Sequence, residues 1–166
     1  MKHLVWVGLL ALLPGCAGPR GLMPLANYDR VDAQVRRSAQ PSKLGFERLR
    51  QEGVVSVLNL RSDPLPDEEQ TVTSLGMHYR WLPLNRWWPP TQRDLDRVLA
   101  LMDELPKPLL VHCQHGCDRT GWAVAYWRVQ RDGWTQADAR REAREYGLRF
   151  WRVRFKAATE ADHPTR

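Results

Sequence analysis

Residues 54–60 read Val-Val-Ser-Val-Leu-Asn-Leu, a nearly unbroken apolar run between Gly53 and Arg61. A half-exposed strand alternates apolar with polar residues, whereas a run of this kind fits a strand covered on both faces. That requirement predicts an α/β domain with a central, mostly parallel sheet flanked by helices. The neighbouring segments agree. Ser42 caps a short helix through Glu52 with Phe46 and Leu49 on one face, Asp67 to Leu75 can form a second helix, and Met77 to Leu84 reads as another strand. Asn85 to Pro90 is a loop, because two consecutive prolines remove ladder donors. Thr91 caps a helix carrying Leu95, Val98, Leu99, Met102 and Leu105 at the helical period, and Pro106 and Pro108 end it. Leu109 to Val111 is a short buried strand, a helix runs from Trp122 through Val129, Thr135 caps another to Tyr146, and a final amphipathic helix holds Phe150, Trp151 and Phe155.

With 166 residues, the chain has room for one compact domain, and its first residues reduce that further. Lys2 precedes a ten-residue apolar run, Leu4 to Leu13, which is built like an export signal and is half the roughly twenty residues of a membrane-spanning helix. Leu13-Pro14-Gly15-Cys16 resembles the lipobox of bacterial lipoproteins, which implies lipidation at Cys16 and an exported, periplasmic protein anchored to the outer membrane. The expected organisation is a signal over residues 1–15, a Gly- and Pro-containing tether over 16–28, the domain over 29–158 and a tail over 159–166. Lys and Arg outnumber Asp and Glu 25 to 19, which favours anionic partners. No helix-turn-helix or aromatic strand motif accompanies that charge, so a nucleic acid is not an expected partner.

The chemistry is concentrated in His112-Cys113-Gln114-His115-Gly116-Cys117-Asp118-Arg119-Thr120-Gly121, between a strand and a helix. A loop in that setting can turn successive backbone N–H groups and a helix terminus onto one anion, with Gln114, His115, Gly116, Cys117 and Arg119 forming the cradle. Positive surroundings would favour the thiolate of Cys113 as nucleophile. The planar fork of Arg119 can bridge two phosphoryl oxygens. Gly116 and Gly121 permit close turns, Thr120 can donate its hydroxyl to the sulfur, and His112 can order the cradle from beneath. Cys117 is either a partner for an oxidised Cys113 or a filler of the cradle. His112, Cys113, His115 and Cys117 crowd into six residues without a distant pair to complete a tetrahedral site, so no metal or other cofactor is expected.

This loop resembles the signature of the cysteine-based protein tyrosine phosphatase superfamily: His-Cys, five residues, Arg, then Ser or Thr. Arg37-Ser38-Ala39-Gln40-Pro41-Ser42 and Val57-Leu58-Asn59-Leu60-Arg61 resemble segments of bacterial and fungal atypical dual-specificity phosphatases, and the likeness spans roughly residues 29–150. The resemblance implies a dual-specificity phosphatase-like fold, attack on phosphorus by Cys113, phosphate binding by Arg119 and no metal. It also implies a carboxylic acid about thirty residues before the cysteine, yet Leu84 to Pro90 contains no carboxylate. Asp94 and Asp96 follow as a helix-start and a surface residue. Asp118 is the preferred acid, since its place resembles the Cys-x-x-x-x-Asp-Arg-Thr arrangement of the myotubularin and Sac phosphoinositide phosphatases. The expected activity is hydrolysis of phosphotyrosine, and of phosphoserine or phosphothreonine, through a phosphocysteine. The alternatives are an inositol phosphate or phosphoinositide phosphatase and a low-turnover phosphate-binding module. The partner is thus a phosphorylated protein or a small phosphate ester. Trp87 and Trp88 read equally as an aromatic pocket wall or as loop-to-core packing.

Overall fold

The computed structural model describes residues 25–149. The signal over 1–15, Cys16, most of the tether, the helix through Phe150 to Phe155 and the tail lie outside the described residues. Within them the chain forms β1 (Asp29–Arg30), β2 (Val35–Ser38), α1 (Lys43–Gln51), β3 (Ser56–Asn59), α2 (Glu68–Ser74), β4 (His78–Trp81), α3 (Gln92–Glu104), β5 (Leu109–His112), α4 (Asp118–Gln130) and α5 (Gln136–Glu145).

The five strands lie in the order β1-β2-β5-β3-β4, with β1 antiparallel to β2 and every other pair parallel. Thus the last strand in sequence is threaded between β2 and β3. Its residues alternate between two cores: Leu109 and Val111 pack with Leu58, Val98, Met102, Val124 and Trp127, while Leu110 packs with Phe46, Leu49, Val57 and Val72 on the other face. Both faces are covered, as the apolar run at residues 54–60 requires. Helix α4 is buried around almost its whole circumference, because the sheet, α3 and α5 enclose it.

The expected caps form: Ser42 accepts from Gly45 N, Thr135 from Asp138 N, and Thr91 with Asp94 makes a reciprocal capping box. Three boundaries differ from expectation. Strand β4 covers only part of Met77 to Leu84, although Met77, Leu82 and Leu84 are buried beside it. Helix α4 begins at Asp118, four residues before Trp122, so the polar half of the loop motif is its first turn. Strands β1 and β2 were not expected, because the two charges of Val35-Arg36-Arg37-Ser38 conceal a strand that is buried throughout.

The parallel register aligns Ser38, His112, Asn59 and Trp81 across the carboxyl ends of four strands. Residues leaving those ends converge on one edge of the sheet, where open α/β folds hold their ligands.

Candidate active site

Cys113 follows directly on β5 and is buried. The loop after it is tied to the end of β2. Gln40 N donates to the Gln114 carbonyl at 3.2 Å, and Asn27 Nδ2 donates to the His115 carbonyl at 2.7 Å. Gly116 has φ +71°, and a Cβ there would stand 2.7 Å from Ala39 N and Ser38 C, so both its left-handed backbone and its contact with β2 require glycine. Arg37 Nη2 holds the Gly116 carbonyl at 2.8 Å from within the protein.

Helix α4 starts immediately beyond, and its first turn brings Asp118, Arg119 and Thr120 to the loop. Arg119 is 7% exposed, and its Nη1 has no hydrogen-bond partner among the described residues. A buried guanidinium nitrogen left open in this way suits an anionic ligand. Thr120 is fully buried, and its hydroxyl makes no hydrogen bond to any described residue; the expected bond to the Cys113 sulfur is therefore not formed in this structure. His115 and Asp118 are exposed, and Gln114 is half-buried.

Cys117 Sγ accepts from Asn27 Nδ2 at 3.1 Å, lies 3.4 Å from the His115 carbonyl and packs against Gly147. Burial pushes the Cys117 thiol up, and the nearby Asp118 and Cys113 add to the shift. Such a thiol is a poor nucleophile. Both Cys113 and Cys117 are free.

His112 is fully buried beneath the loop. Its Nδ1 lies 3.4 Å from the Cys113 carbonyl and its Nε2 lies 2.9 Å from Glu68 Oε1. Glu68 accepts from Asn59 Nδ2 at 2.9 Å and Gln40 Nε2 at 2.8 Å. Arg61 extends this network, donating to Gln40 Oε1 at 2.9 Å and to Asp63 Oδ2 at 3.2 Å. The sequence pointed to none of Asn27, Glu68 or Asp63 as site residues. Their polar side chains could have signalled a role only if their strand partners were known.

The carboxylates near this end of the sheet divide by environment. Partial desolvation pushes Asp63 up, but the Arg61 hydrogen bond and charge outweigh it, with Arg119 contributing, and its carboxyl is held low. The Thr91 hydroxyl likewise holds Asp94 below the usual carboxylate range, inside the capping box. Asp96 accepts from Gln92 Nε2 and from Tyr126 OH, each at 2.7 Å. Asp118 makes no side-chain hydrogen bond or ion pair with any described residue. Trp87 and Trp88 are 75% and 72% exposed, which removes the core-packing reading. Their backbone N–H groups both bond to Asn85 Oδ1, which fixes the turn that projects them.

Among the described residues, no three His, Cys, Asp or Glu side chains are grouped as they would be around a metal ion. A cleft of about 370 Å³ lined by Glu69, His78, Arg80 and Glu104 lies at the start of β4, the opposite end of the strands from Cys113. The loop is therefore distinguished by its anion-directed donors and not by depth.

A profile of the family described as "DSP-PTPase phosphatase fused to NAD+ Kinase" matches residues 25–156. Inositol diphosphatase DSP5 of Arabidopsis thaliana is 30% identical over 145 residues, covering 80% of this chain and 68% of that protein. Among solved structures, the core catalytic domain of the PP-IP phosphatase SIW14 from S. cerevisiae, in complex with citrate, is similar with a TM-score of 0.69 and 22% identity, over 86% of this chain and 84% of that one. A DUF442 protein of Shewanella putrefaciens is similar with a TM-score of 0.63 and 26% identity, over 81% and 89% of the two chains. With the cysteine loop closed between β5 and α4 and the family profile spanning all the described residues, this chain belongs to the dual-specificity (DSP-PTPase) family of cysteine-based phosphatases.

Proposed function

We propose that the protein hydrolyses phosphoesters by double displacement at Cys113, and that its best substrates carry good leaving groups, phosphotyrosine first. The observation that carries the mechanism is the buried Cys113 at the start of a glycine-turned loop, with Arg119, its Nη1 unpartnered among the described residues, in the first turn of the helix that follows. The Cys113 thiolate attacks phosphorus, an S–P bond forms, and the P–O bond to the leaving group breaks. The leaving oxygen takes a proton from the Asp118 carboxyl. Water then attacks phosphorus, returning a proton to Asp118, and the S–P electron pair goes back to sulfur.

Substrate preference follows from the acid. The loop over residues 84–90 has no carboxylate, Asp63 and Asp94 are held low, and Asp96 is engaged by Gln92 and Tyr126, whereas Asp118 is exposed at the loop, which favours it as the donor. An aryl oxide leaves without much assistance, whereas a serine or threonine alkoxide needs a proton. The exposed Trp87 and Trp88, at the same end of the sheet, offer aromatic surface to a phosphotyrosine ring. A second reading is favoured by the relative named an inositol diphosphatase: a phosphoanhydride also has a good leaving group and would tolerate the same weak acid.

The test compares a phosphotyrosine peptide, its phosphoserine counterpart and a diphosphoinositol polyphosphate on the same purified protein. Faster turnover of the tyrosine peptide than of the serine peptide is expected, and Cys113→Ser should abolish all activity. Rapid hydrolysis by Cys113→Ser would overturn the mechanism, and a large preference for the diphosphate would replace the first substrate by the second. Residues 1–16 support a further proposal, export with a lipid on Cys16: palmitate label should enter the full chain and be lost in Cys16→Ala.

A further inference from the structure

Arg37 is the one large charged side chain among the most completely buried residues of the described chain, at 1% exposure. It stands on β2 opposite Val111, one residue before the level of His112, and therefore lies beside the strand that delivers Cys113. Nη2 donates to the Gly116 carbonyl at 2.8 Å. The guanidinium carbon lies 3.7 Å over the ring of Tyr146, whose hydroxyl bonds to Asp29. Its Nε and Nη1 have no hydrogen-bond partner among the described residues. A buried guanidinium with two idle nitrogens is costly unless it does something for its surroundings. Here its one full hydrogen bond is spent on the loop residue whose backbone conformation is the most constrained.

We propose that Arg37 is a positioning residue for the phosphate cradle, keeping the Gly116 carbonyl turned into the protein so that the loop N–H groups remain free for the phosphoryl oxygens, and placing a second buried positive charge behind the reacting sulfur. The proposal rests on Cys113 being the reacting group. The carbonyl is otherwise the wrong dipole to leave facing an anion, and glycine with positive φ has the freedom to turn it there. Arg37 ties it back at the point where a Cβ would meet β2.

The surroundings are mixed in charge. Asp118 and Arg119 lie in the first turn of α4, His115 on the loop, Glu142 on α5 and Tyr146 at its C-cap, while the Glu68–His112 pair lies under the strand end. Burial pulls Arg37 down, and Tyr146, Glu142, Cys113 and Cys117 push it back up. A guanidinium stays protonated through such shifts, so its charge is a fixed feature of the site.

The experiment uses the full chain with Arg37→Met and Arg37→Lys, reading the pH dependence of Cys113 alkylation by iodoacetamide, kcat and KM on an aryl phosphate, and the melting temperature. Arg37→Met is expected to move the alkylation midpoint upward by about one pH unit, as loss of a nearby opposite charge does, and to lower kcat about a hundredfold. Arg37→Lys should keep the midpoint near that of the parent while kcat stays low, because the charge remains but the fork that grips the carbonyl is lost. A lower melting temperature with an unchanged alkylation profile and unchanged kcat in both variants would make Arg37 a structural residue only and overturn the proposal. Should Arg37→Met not fold, Tyr146→Leu removes the ring that seats the guanidinium; a lowered kcat is then expected, and a parental kcat would overturn the proposal. An inactive parent, or an active Cys113→Ser, would count against the reaction itself and not against Arg37.

Discussion

Glu68 Oε1 lies 2.9 Å from His112 Nε2, and neither side chain is more than 1% exposed. The ring nitrogen makes no hydrogen bond to the carboxylate, and Glu68 takes its hydrogen bonds from Asn59 and Gln40. One buried carboxylate thereby joins α2, β3 and the segment after β2 to the residue that precedes the nucleophile.

Removing the carboxylate leaves the buried Asn59 amide and the Gln40 amide without their acceptor, a loss of about 1–3 kcal/mol. Glu68→Ala should therefore lower the unfolding free energy by about that amount, measured by urea denaturation. Glu68→Gln keeps an acceptor for Asn59 and should lose less. If both variants matched the parent in stability, the network would be incidental to the fold.

Asp94 sits in the capping box of α3, and hydrogen bonding from the Thr91 hydroxyl holds its carboxyl below the unfolded value of 3.8. A lowered folded value means that its stabilisation is fully present above the unfolded value and is lost as pH falls through the folded one. Asp94→Ala should thus destabilise by about 0.5 kcal/mol at pH 7, discounted for solvent screening, and by progressively less as the pH is lowered below the unfolded value. Thermal melts across that pH range check this. Activity at pH 7 should be unchanged, since the leaving-group proton is assigned to Asp118.

Asp118→Asn should slow hydrolysis of an alkyl phosphate by about 10²-fold or more and of p-nitrophenyl phosphate far less. Steady-state rates on the two substrates decide it. Equal small losses would move the acid role elsewhere.

Gly116 and Gly53 both have positive φ, but a Cβ at Gly116 would meet the backbone of Ser38 and Ala39, whereas at Gly53 it meets nothing within 4 Å. Gly53→Ala should cost only backbone strain, about 1–3 kcal/mol, with full activity retained in the folded protein. Gly116→Ala should displace the loop and remove most activity, measurable as kcat/KM on an aryl phosphate.

Trp87→Ala with Trp88→Ala should leave the melting temperature nearly unchanged, because both rings are exposed. If they contact the leaving group, KM should rise for aryl phosphates and not for a small alkyl phosphate. Equal KM on both would assign the pair no part in substrate binding.

Local sequence determined much of this protein. The apolar run at residues 54–60 dictates a strand buried on both faces. Ser42, Thr91 and Thr135 place helix starts, because a cap is a contact between residues three apart. The Cys113 to Thr120 spacing announces an anion loop, because glycine and a helix start act within one turn of chain. Tertiary structure decided the rest. Only the pairing of β2 with β5 explains why Arg37, a charge in a short segment, is buried and reaches Gly116, a residue 79 positions away. Only the packing of α2 against the strands brings Glu68 to His112. The same limit applies to Trp87 and Trp88, whose exposure depends on what the rest of the fold leaves uncovered. Interactions that close within a helical turn are written in neighbouring residues, while those that place one charge against another across strands exist only after the sheet has set its order.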